Sequence, residues 1–268
     1  MRTVLGVMGL LGVALAQAAE PSTPYGRNPA AGHYAEVNGI RLHYESYGKG
    51  TPLVMLHGNG GDISALRFQI EHFKARHWVI AVDSRGHGQS SLGSEPLTFE
   101  RIADDVAALL LQLHAGKADI LGWSDGGIVA LELAIRHPDQ VRRIALSGAN
   151  LVPEALKPED LAEMRRDLAE DDAKIAAGDR SQPLARQRQY VLLDLFHPHI
   201  TAAQLGAIRI PALVMAGEHD MIPEAHTRQI AAEIPGAKLH VFAGAGHGAL
   251  MEVPEAFNGV VEAFLDAP

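Results

Sequence analysis

The sequence contains no cysteine. This absence excludes disulfides, thiolate zinc sites, cysteine nucleophiles and a lipid anchor on an acylated cysteine. Basic residues are outnumbered, and the formal net charge is −9. Since binding to phosphates needs a basic face, nucleic acid is not expected as a partner. No G-x-G-x-x-G follows a strand pattern and opens a helix, so the sequence does not support a dinucleotide site.

The sequence also lacks an apolar run long enough to cross a bilayer. The 13 residues Val4–Ala16 are uncharged and apolar, whereas a membrane span needs about 20. Arg2 precedes this run, and a small-x-small sequence ends it, so that cleavage is expected after Ala18 or Ala19. We therefore predict a secretory signal peptide, a periplasmic or secreted protein, and no stable membrane anchor after cleavage.

The whole chain of 268 residues has the composition of an ordinary globular enzyme, with 47% hydrophobic and 21% charged residues. Short apolar runs alternate with segments of helical periodicity. The strand-like runs lie at residues 35–37, 40–47, 52–56, 78–82, 118–122, 141–146, 212–216 and 239–242. Asn38-Gly39 predicts a tight turn between the first two. The alternation predicts an α/β fold, a mostly parallel sheet with helices on both faces.

Residues 150–210 interrupt this rhythm, since they contain no clear strand. Leu161, Met164 and Leu168 form one apolar stripe on a strongly charged helix, and a second helical stretch follows. We interpret this segment as a small helical cap over the ligand end of the sheet; the alternative is ordinary packing helices of the main layer. The predicted organisation is a signal peptide (1–18), a lead-in segment (19–34), a core (35–149 and 211–268) and a cap insertion (150–210).

Gly122-Trp123-Ser124-Asp125-Gly126 matches G-x-S-x-G. This pattern places a serine on a sharp strand-to-helix turn, where flanking glycines let the backbone pass closely. The bare pattern is weak, but here a strand-like run precedes it and a helical run follows. The context therefore predicts Ser124 as a catalytic nucleophile.

A serine nucleophile requires a general base and an acid that orients the base. Of 14 histidines, His247 lies in a glycine-rich turn just after the last strand-like run, where its ring can be presented freely. Asp220 follows the preceding run, in Gly-Glu-His-Asp, and Glu218 is the competing acid. The order serine, acid, histidine is the one expected for this motif. We predict His247 as base and Asp220 as its partner.

An oxyanion hole needs two backbone N–H donors. One is expected to be the amide of Asp125, which follows the nucleophile. The other is expected in His57-Gly58-Asn59-Gly60-Gly61, after an earlier strand, and we predict the Asn59 amide. The side chain of Asp125 stays unassigned, since a carboxylate in the first helical turn is also favoured by the helix dipole.

Two other motifs are not interpreted as catalytic or metal-binding sites. Asp83-Ser84-Arg85-Gly86-His87-Gly88 is interpreted as a structural loop. His197-Pro198-His199, near Asp194, lacks a clear four-ligand set, so no metal site is predicted.

The ordered motifs resemble those of the α/β-hydrolase superfamily over about residues 35 to 266. They are HGNGG at 57–61, DSRGHGQS at 83–90, GWSDGG at 122–127, GEHD at 217–220 and GAGHG at 244–248. The GWSDGG segment around Ser124 is similar to the corresponding segment in the branch of valacyclovir-hydrolase-like and meta-cleavage-product (carbon–carbon bond) hydrolases. The resemblance implies an eight-stranded, mostly parallel sheet with a cap, and no cofactor. Family dehalogenases and epoxide hydrolases carry aspartate where Ser124 stands, which argues against both.

The expected function is hydrolysis of a small ester, or an activated amide, through an acyl-enzyme. A short, charged cap favours a small soluble substrate over a lipid. Three alternatives remain open: a carbon–carbon bond hydrolase or a perhydrolase with the same triad, and a non-catalytic binding protein on the same fold. Export departs from the intracellular setting expected of meta-cleavage hydrolases.

Overall fold

The centre of the molecule, a computed structural model that describes residues 19–267, is an eight-stranded sheet. The strands are β1 (Gly32–Val37), β2 (Ile40–Tyr47), β3 (Thr51–Leu56), β4 (His77–Val82), β5 (Ala118–Trp123), β6 (Val141–Ser147), β7 (Ala212–His219) and β8 (Lys238–Gly246). Their order is β1-β2-β4-β3-β5-β6-β7-β8. The pairs β1–β2 and β2–β4 are antiparallel and all later pairs are parallel. The predicted mostly parallel sheet is confirmed.

Helices cover both faces of this sheet. They are α1 (Arg67–Phe73), α2 (Phe99–Gln112), α3 (Asp125–Arg136), α4 (Pro158–Ala176), α5 (Gln182–Phe196), α6 (Ala202–Leu205), α7 (Glu224–Glu233), α8 (Ala249–Glu252) and α9 (Pro254–Leu265). One apolar cluster joins the sheet to α2, α3 and α7, and a second joins the other face to α1 and α9. Burying both faces explains why the parallel strands read as continuous apolar runs.

The first strands form the predicted hairpin. Asn38 and Gly39 have φ of 42° and 77°, which is the twist that a two-residue turn requires. The lead-in segment is packed, because Tyr25 is buried and its hydroxyl donates to Glu71 Oε2 at 2.6 Å. The predicted signal peptide lies outside the described residues and stays a prediction. Between 19 and 267, no helix combines the length and apolar character that a bilayer crossing demands.

The segment between β6 and β7 contains α4, α5 and α6. Helices α4 and α5 pack on each other around a small apolar cluster that includes Leu161 and Val191, together with Ile222 from the loop after β7. By contrast, Leu205 and Ile208 belong to the main core. Helix α5 also reaches the main core through Leu193, and the end of the segment is part of the main layer.

Candidate active site

The turn between β5 and α3 holds Ser124 above the end of the sheet. Ser124 has φ of 56° and ψ of −121°, a conformation that is costly for a residue with a side chain. The strand ends at Trp123 and the helix begins at Asp125. This is the strained strand-to-helix turn that exposes a nucleophilic hydroxyl.

The two glycines of the motif are needed for close backbone contact. A Cβ on Gly122 would lie 2.0 Å from the carbonyl oxygen of Gly126, and a Cβ on Gly126 would lie 2.2 Å from that of Leu56. Both distances are far inside van der Waals contact. The glycines therefore let β5, α3 and β3 meet at the turn that carries Ser124.

The structure brings the predicted serine, histidine and aspartate together at the ends of β5, β8 and β7, respectively. His247 Nε2 lies 3.0 Å from Ser124 Oγ, and His247 Nδ1 lies 2.7 Å from Asp220 Oδ1. The Asp220 side chain is 2% exposed and that of His247 is 21% exposed. Trp123 Nε1 donates to the carbonyl oxygen of His247 at 2.8 Å, which fixes the loop that carries the ring.

The competing acid, Glu218, has a different role. Its carboxylate accepts a hydrogen bond from Gly244 N at 2.8 Å on the exposed surface. Asp220 also accepts from Ile222 N at 3.0 Å, which holds the carboxylate toward His247. The acid placed against the histidine is therefore Asp220.

The predicted oxyanion residues Asn59 and Asp125 both line the cavity that contains Ser124. Asp125 is the first residue of α3, so its amide N–H lacks an intrahelical acceptor. Within residues 19–267, no backbone carbonyl accepts from the amide of Asn59 or of Asp125. Both amides are thus available to a ligand oxygen, and the helix dipole of α3 favours negative charge there.

The cavity is small, about 220 Å³. Both the core and the inserted helices α4 and α5 line it. The lining residues are Gly58, Asn59, Trp123, Ser124, Asp125, Asn150, Leu156, Met164, Asp194, Met221, Ile222 and His247. No lysine or arginine is among these described residues, and the two carboxyl side chains beside the serine are those of Asp125 and Asp194.

Sequence reasoning missed the role of Asp194, which it considered only for a metal. Burial raises the pKa of the Asp194 carboxyl to about 6. Burial, and then the neighbouring charge of Asp194, raise the pKa of Asp125 well above its ordinary value. Two adjacent buried carboxyls cannot both ionise cheaply, so the charge of Asp194 disfavours ionisation of Asp125. Only the placement of α5 over the core creates this pair, and no sequence motif marks it.

The loop after β4 is structural, as the sequence indicated. Asp83 is fully buried and accepts hydrogen bonds from Ile63 N, Gln89 N and His43 Nδ1 at 2.8 to 2.9 Å. In the same loop, the ring of His87 stacks on Tyr190 of α5 with centroids 4.2 Å apart. The loop thereby joins the core to α5 beside the cavity.

The histidines of His197-Pro198-His199 lie directly after α5. The rings of His197 and His199 are 5.9 Å apart. No group of three or more histidine, aspartate or glutamate side chains between 19 and 267 is arranged to hold a metal ion.

Comparison with known proteins places this site in a family. Residues 53–260 match the Alpha/beta hydrolase family. The chain belongs to that family, and with the family goes the general activity of a hydrolase.

Three proteins illustrate the similarity. The serine hydrolase BPHL of Mus musculus is 28% identical, over 92% of this chain and 90% of its own length. The 2-hydroxymuconate semialdehyde hydrolase of Pseudomonas sp. (strain CF600) is 32% identical, over 89% of this chain and 95% of its own. Among solved structures, a thermophilic esterase from Thermogutta terrifontis with bound malate aligns with a TM-score of 0.72 and 26% identity, over 88% of this chain and 97% of that one.

Proposed function

We propose that the protein is a cofactor-independent serine hydrolase that cleaves a small ester, or an activated amide, through an acyl-enzyme. One observation carries this proposal: the continuous hydrogen-bonded chain Ser124–His247–Asp220 at the wall of a cavity. In this arrangement the base is within proton-transfer distance of the nucleophile and is itself oriented by an acid.

In the proposed reaction His247 Nε2 takes the proton of Ser124 as the hydroxyl oxygen attacks the substrate carbonyl. Asp220 stabilises the imidazolium that forms, and the amides of Asn59 and Asp125 donate to the oxyanion. The imidazolium then protonates the leaving alcohol or amine, which leaves an acyl group on Ser124. His247 next activates a water molecule, which attacks the acyl group and releases the acid.

The size of the cavity supports a small substrate. At about 220 Å³ it lies below the range of roughly 300 to 1,000 Å³ that is usual for sites of drug-sized ligands. We propose that α4 and α5 act as the cap that limits this volume, since Met164 of α4 and Asp194 of α5 line the cavity together with Ser124. Short acyl chains should therefore react faster than long ones.

The charge of the cavity disfavours the carbon–carbon alternative. A hydroxymuconate, as its name says, carries a carboxylate, and the relative named for one shares 32% identity with this chain. Here the described lining contains Asp125 and Asp194 and no lysine or arginine. An anionic substrate would meet negative charge without a partner, which costs binding energy.

The direct test is a substrate comparison with wild type and Ser124→Ala. We expect wild type to hydrolyse p-nitrophenyl acetate and butyrate faster than the octanoate, and Ser124→Ala to lose nearly all turnover. Vinylogous diketone substrates and peracid formation from acetate with peroxide test the two alternatives that share the triad. Faster cleavage of the diketone than of any ester would overturn the ester assignment, and no turnover of any substrate would favour the binding protein.

We also propose that the protein works outside the cytoplasm, on the strength of the pattern in residues 1–18. The tested protein should therefore be the mature chain.

A further inference from the structure

The loop that supplies the Asn59 amide has little conformational restraint of its own. Asn59 stands between Gly58 and Gly60, and Gly60 has φ of 66°. Because glycines adopt many backbone conformations, local sterics do not fix a peptide that lies between them. The loop nevertheless lies closely against the nucleophile, since a Cβ on Gly58 would come within 2.9 Å of Ser124 Cβ. Contacts with other parts of the molecule must therefore set the direction of the Asn59 N–H.

The core fixes one end of this peptide. The peptide that carries the Asn59 N–H also carries the carbonyl of Gly58, and in a trans peptide these two groups point in opposite directions. The Gly58 oxygen accepts from His57 Nδ1 at 2.7 Å and from Gly61 N at 3.1 Å. His57 Nε2 accepts from Ser84 N at 3.1 Å, which leaves the proton of the neutral ring on Nδ1. The carbonyl end of the peptide is thus held by the core.

Helix α5 fixes the other end of the peptide, through the side chain of Asn59. Its Nδ2 donates to the carbonyl oxygen of Tyr190 at 3.1 Å. Tyr190 is itself bonded to the core, because its hydroxyl donates to the carbonyl oxygen of Gly86 at 2.6 Å. The Tyr190 ring also stacks on that of His87, with centroids 4.2 Å apart and planes 19° apart. One residue of α5 therefore joins the Asn59 loop to the loop after β4.

We propose that Tyr190 is a positioning residue that holds the Asn59 amide in the direction of the oxyanion. The inference rests on the proposed function, because that function assigns the Asn59 amide to the oxyanion hole. Tyr190 is not among the described residues that line the cavity of Ser124, so it acts through Asn59 and not on the substrate. Its effect is on geometry, since displacement of a catalytic group by about 1 Å can cost as much as 100-fold in rate.

This arrangement makes one half of the oxyanion hole depend on the inserted segment. The other proposed donor, Asp125, begins α3 and is positioned by that core helix. The Asn59 amide, by contrast, has a side-chain bond to α5. Loss of that bond should therefore weaken oxyanion stabilisation and leave the contact between Ser124 and His247 in place.

Two substitutions remove this connection at different bonds. Asn59→Ala removes the side-chain donor but keeps the backbone amide, and we expect kcat for p-nitrophenyl acetate to fall about 10- to 100-fold. Tyr190→Phe keeps the aromatic ring and removes only the hydrogen bond to Gly86, so a fall of about 3- to 10-fold is expected. KM should change less than about twofold in both, because the bond to an oxyanion exists only in the transition state.

The double variant tests whether the two bonds act one through the other. Once Asn59→Ala has separated the loop from α5, loss of the Tyr190 hydroxyl can no longer displace the amide. The kcat of the double variant should therefore lie within about twofold of that of Asn59→Ala alone, whereas independent effects would multiply.

Inhibition by a short trifluoromethyl ketone measures the oxyanion hole directly. Ser124 Oγ adds to the carbonyl carbon of the ketone, the hydroxyl proton passes to His247, and the carbonyl electron pair becomes an oxyanion. We expect Ki to rise in each single variant by about the factor by which kcat/KM falls. A merely structural role of Tyr190 would lower the fraction of active protein and leave the Ki of the remaining sites unchanged.

Arg186→Ala is the matched control. Arg186 lies four residues before Tyr190 on α5, and its guanidinium donates to the carbonyl oxygens of Gly88 and Ser90 at 3.1 and 3.0 Å. Its loss removes a contact of α5 with the same loop, while the bonds of Tyr190 remain. We expect kcat and Ki within about twofold of wild type. All rates are expressed per active site labelled by a fluorophosphonate, which removes the contribution of misfolded protein.

The outcomes separate the two levels of the proposal. The positioning role alone is overturned by an active wild type in which Tyr190→Phe keeps its kcat per labelled site, or loses kcat without a rise in Ki. It is also overturned if the effects of the two substitutions multiply, or if Arg186→Ala loses as much as Tyr190→Phe. A wild type with neither turnover nor label overturns the proposed function and the positioning role together. The expected pattern is a parallel change of kcat/KM and Ki in both single variants and no further loss in the double variant.

Discussion

Replacing Asp220 by alanine should lower kcat for p-nitrophenyl acetate by about four orders of magnitude and change KM little. Asp220 Oδ1 accepts from His247 Nδ1 at 2.7 Å, and its side chain is 2% exposed. The substitution leaves Ser124 in place but removes the group that orients the imidazole and balances its positive charge.

The magnitude follows from the geometry. The centres of an imidazolium and a carboxylate in this contact are about 4 Å apart, which corresponds to about 4 kcal/mol at an effective dielectric constant of about 20. This stabilisation exists only once His247 is protonated, so its loss raises the barrier and accounts for about three decades in rate. Free rotation of the ring and the wrong tautomer should add roughly one more decade.

Glu218→Ala is the matched control, since Glu218 also follows β7 but binds only Gly244 N on the surface. Its effect should stay within about twofold, the usual range for surface substitutions. The assay is steady-state hydrolysis at neutral pH, with thermal unfolding to confirm that both variants fold. The reasoning is refuted if Asp220→Ala remains within tenfold of wild type, or if Glu218→Ala is the variant that loses activity.

Three further predictions concern stability and processing. Gly126→Ala should destabilise the fold by about 1–3 kcal/mol in urea unfolding, because its Cβ would lie 2.2 Å from the Leu56 carbonyl oxygen; the same substitution at exposed Gly259, where no atom lies within 4 Å, should not destabilise it. Burial lowers the pKa of His87 to about 3. As the pH drops from about 6.5 towards 3, the His87 imidazole is therefore protonated in the unfolded chain but not in the folded protein. The free energy of unfolding should fall over this range by up to about 1.4 kcal/mol per pH unit. His87→Phe should flatten that slope and the exposed control His33→Phe should not; equal slopes would contradict the assignment. Mass spectrometry of protein from a bacterial periplasm should give an N-terminus at Ala19 or Glu20, and an intact Met1 would contradict export.

The sequence was sufficient for the parts of the site that lie at the ends of strands. Ser124, Asp220 and His247 each follow a strand-like run, and the carboxyl ends of parallel strands meet at one edge of the sheet. Their order along the chain therefore predicted that they converge. The same logic found Asn59, because its glycine-rich loop follows a strand at the same edge.

The sequence was not sufficient for the side of the site formed by α5. The place of Asp194 depends on how α4 and α5 pack over the sheet, through a small apolar cluster, through Leu193 in the main core and through hydrogen bonds such as that of the Tyr190 hydroxyl to Gly86. The helical pattern of this segment indicates a helix, yet it does not predict which carboxyl side chain lies beside Asp125. Long-range helix placement, unlike strand order, leaves no local pattern in the chain.

The central claim is that Ser124 is the catalytic nucleophile, and covalent labelling tests this claim most directly. Mature protein is treated with a fluorophosphonate, and intact mass and peptide mapping are compared with those of Ser124→Ala. The geometry at Ser124 and His247 requires one adduct per chain, located on Ser124 and absent from the variant. Folded wild-type protein that gains no adduct, or that gains it at another residue, would contradict the claim.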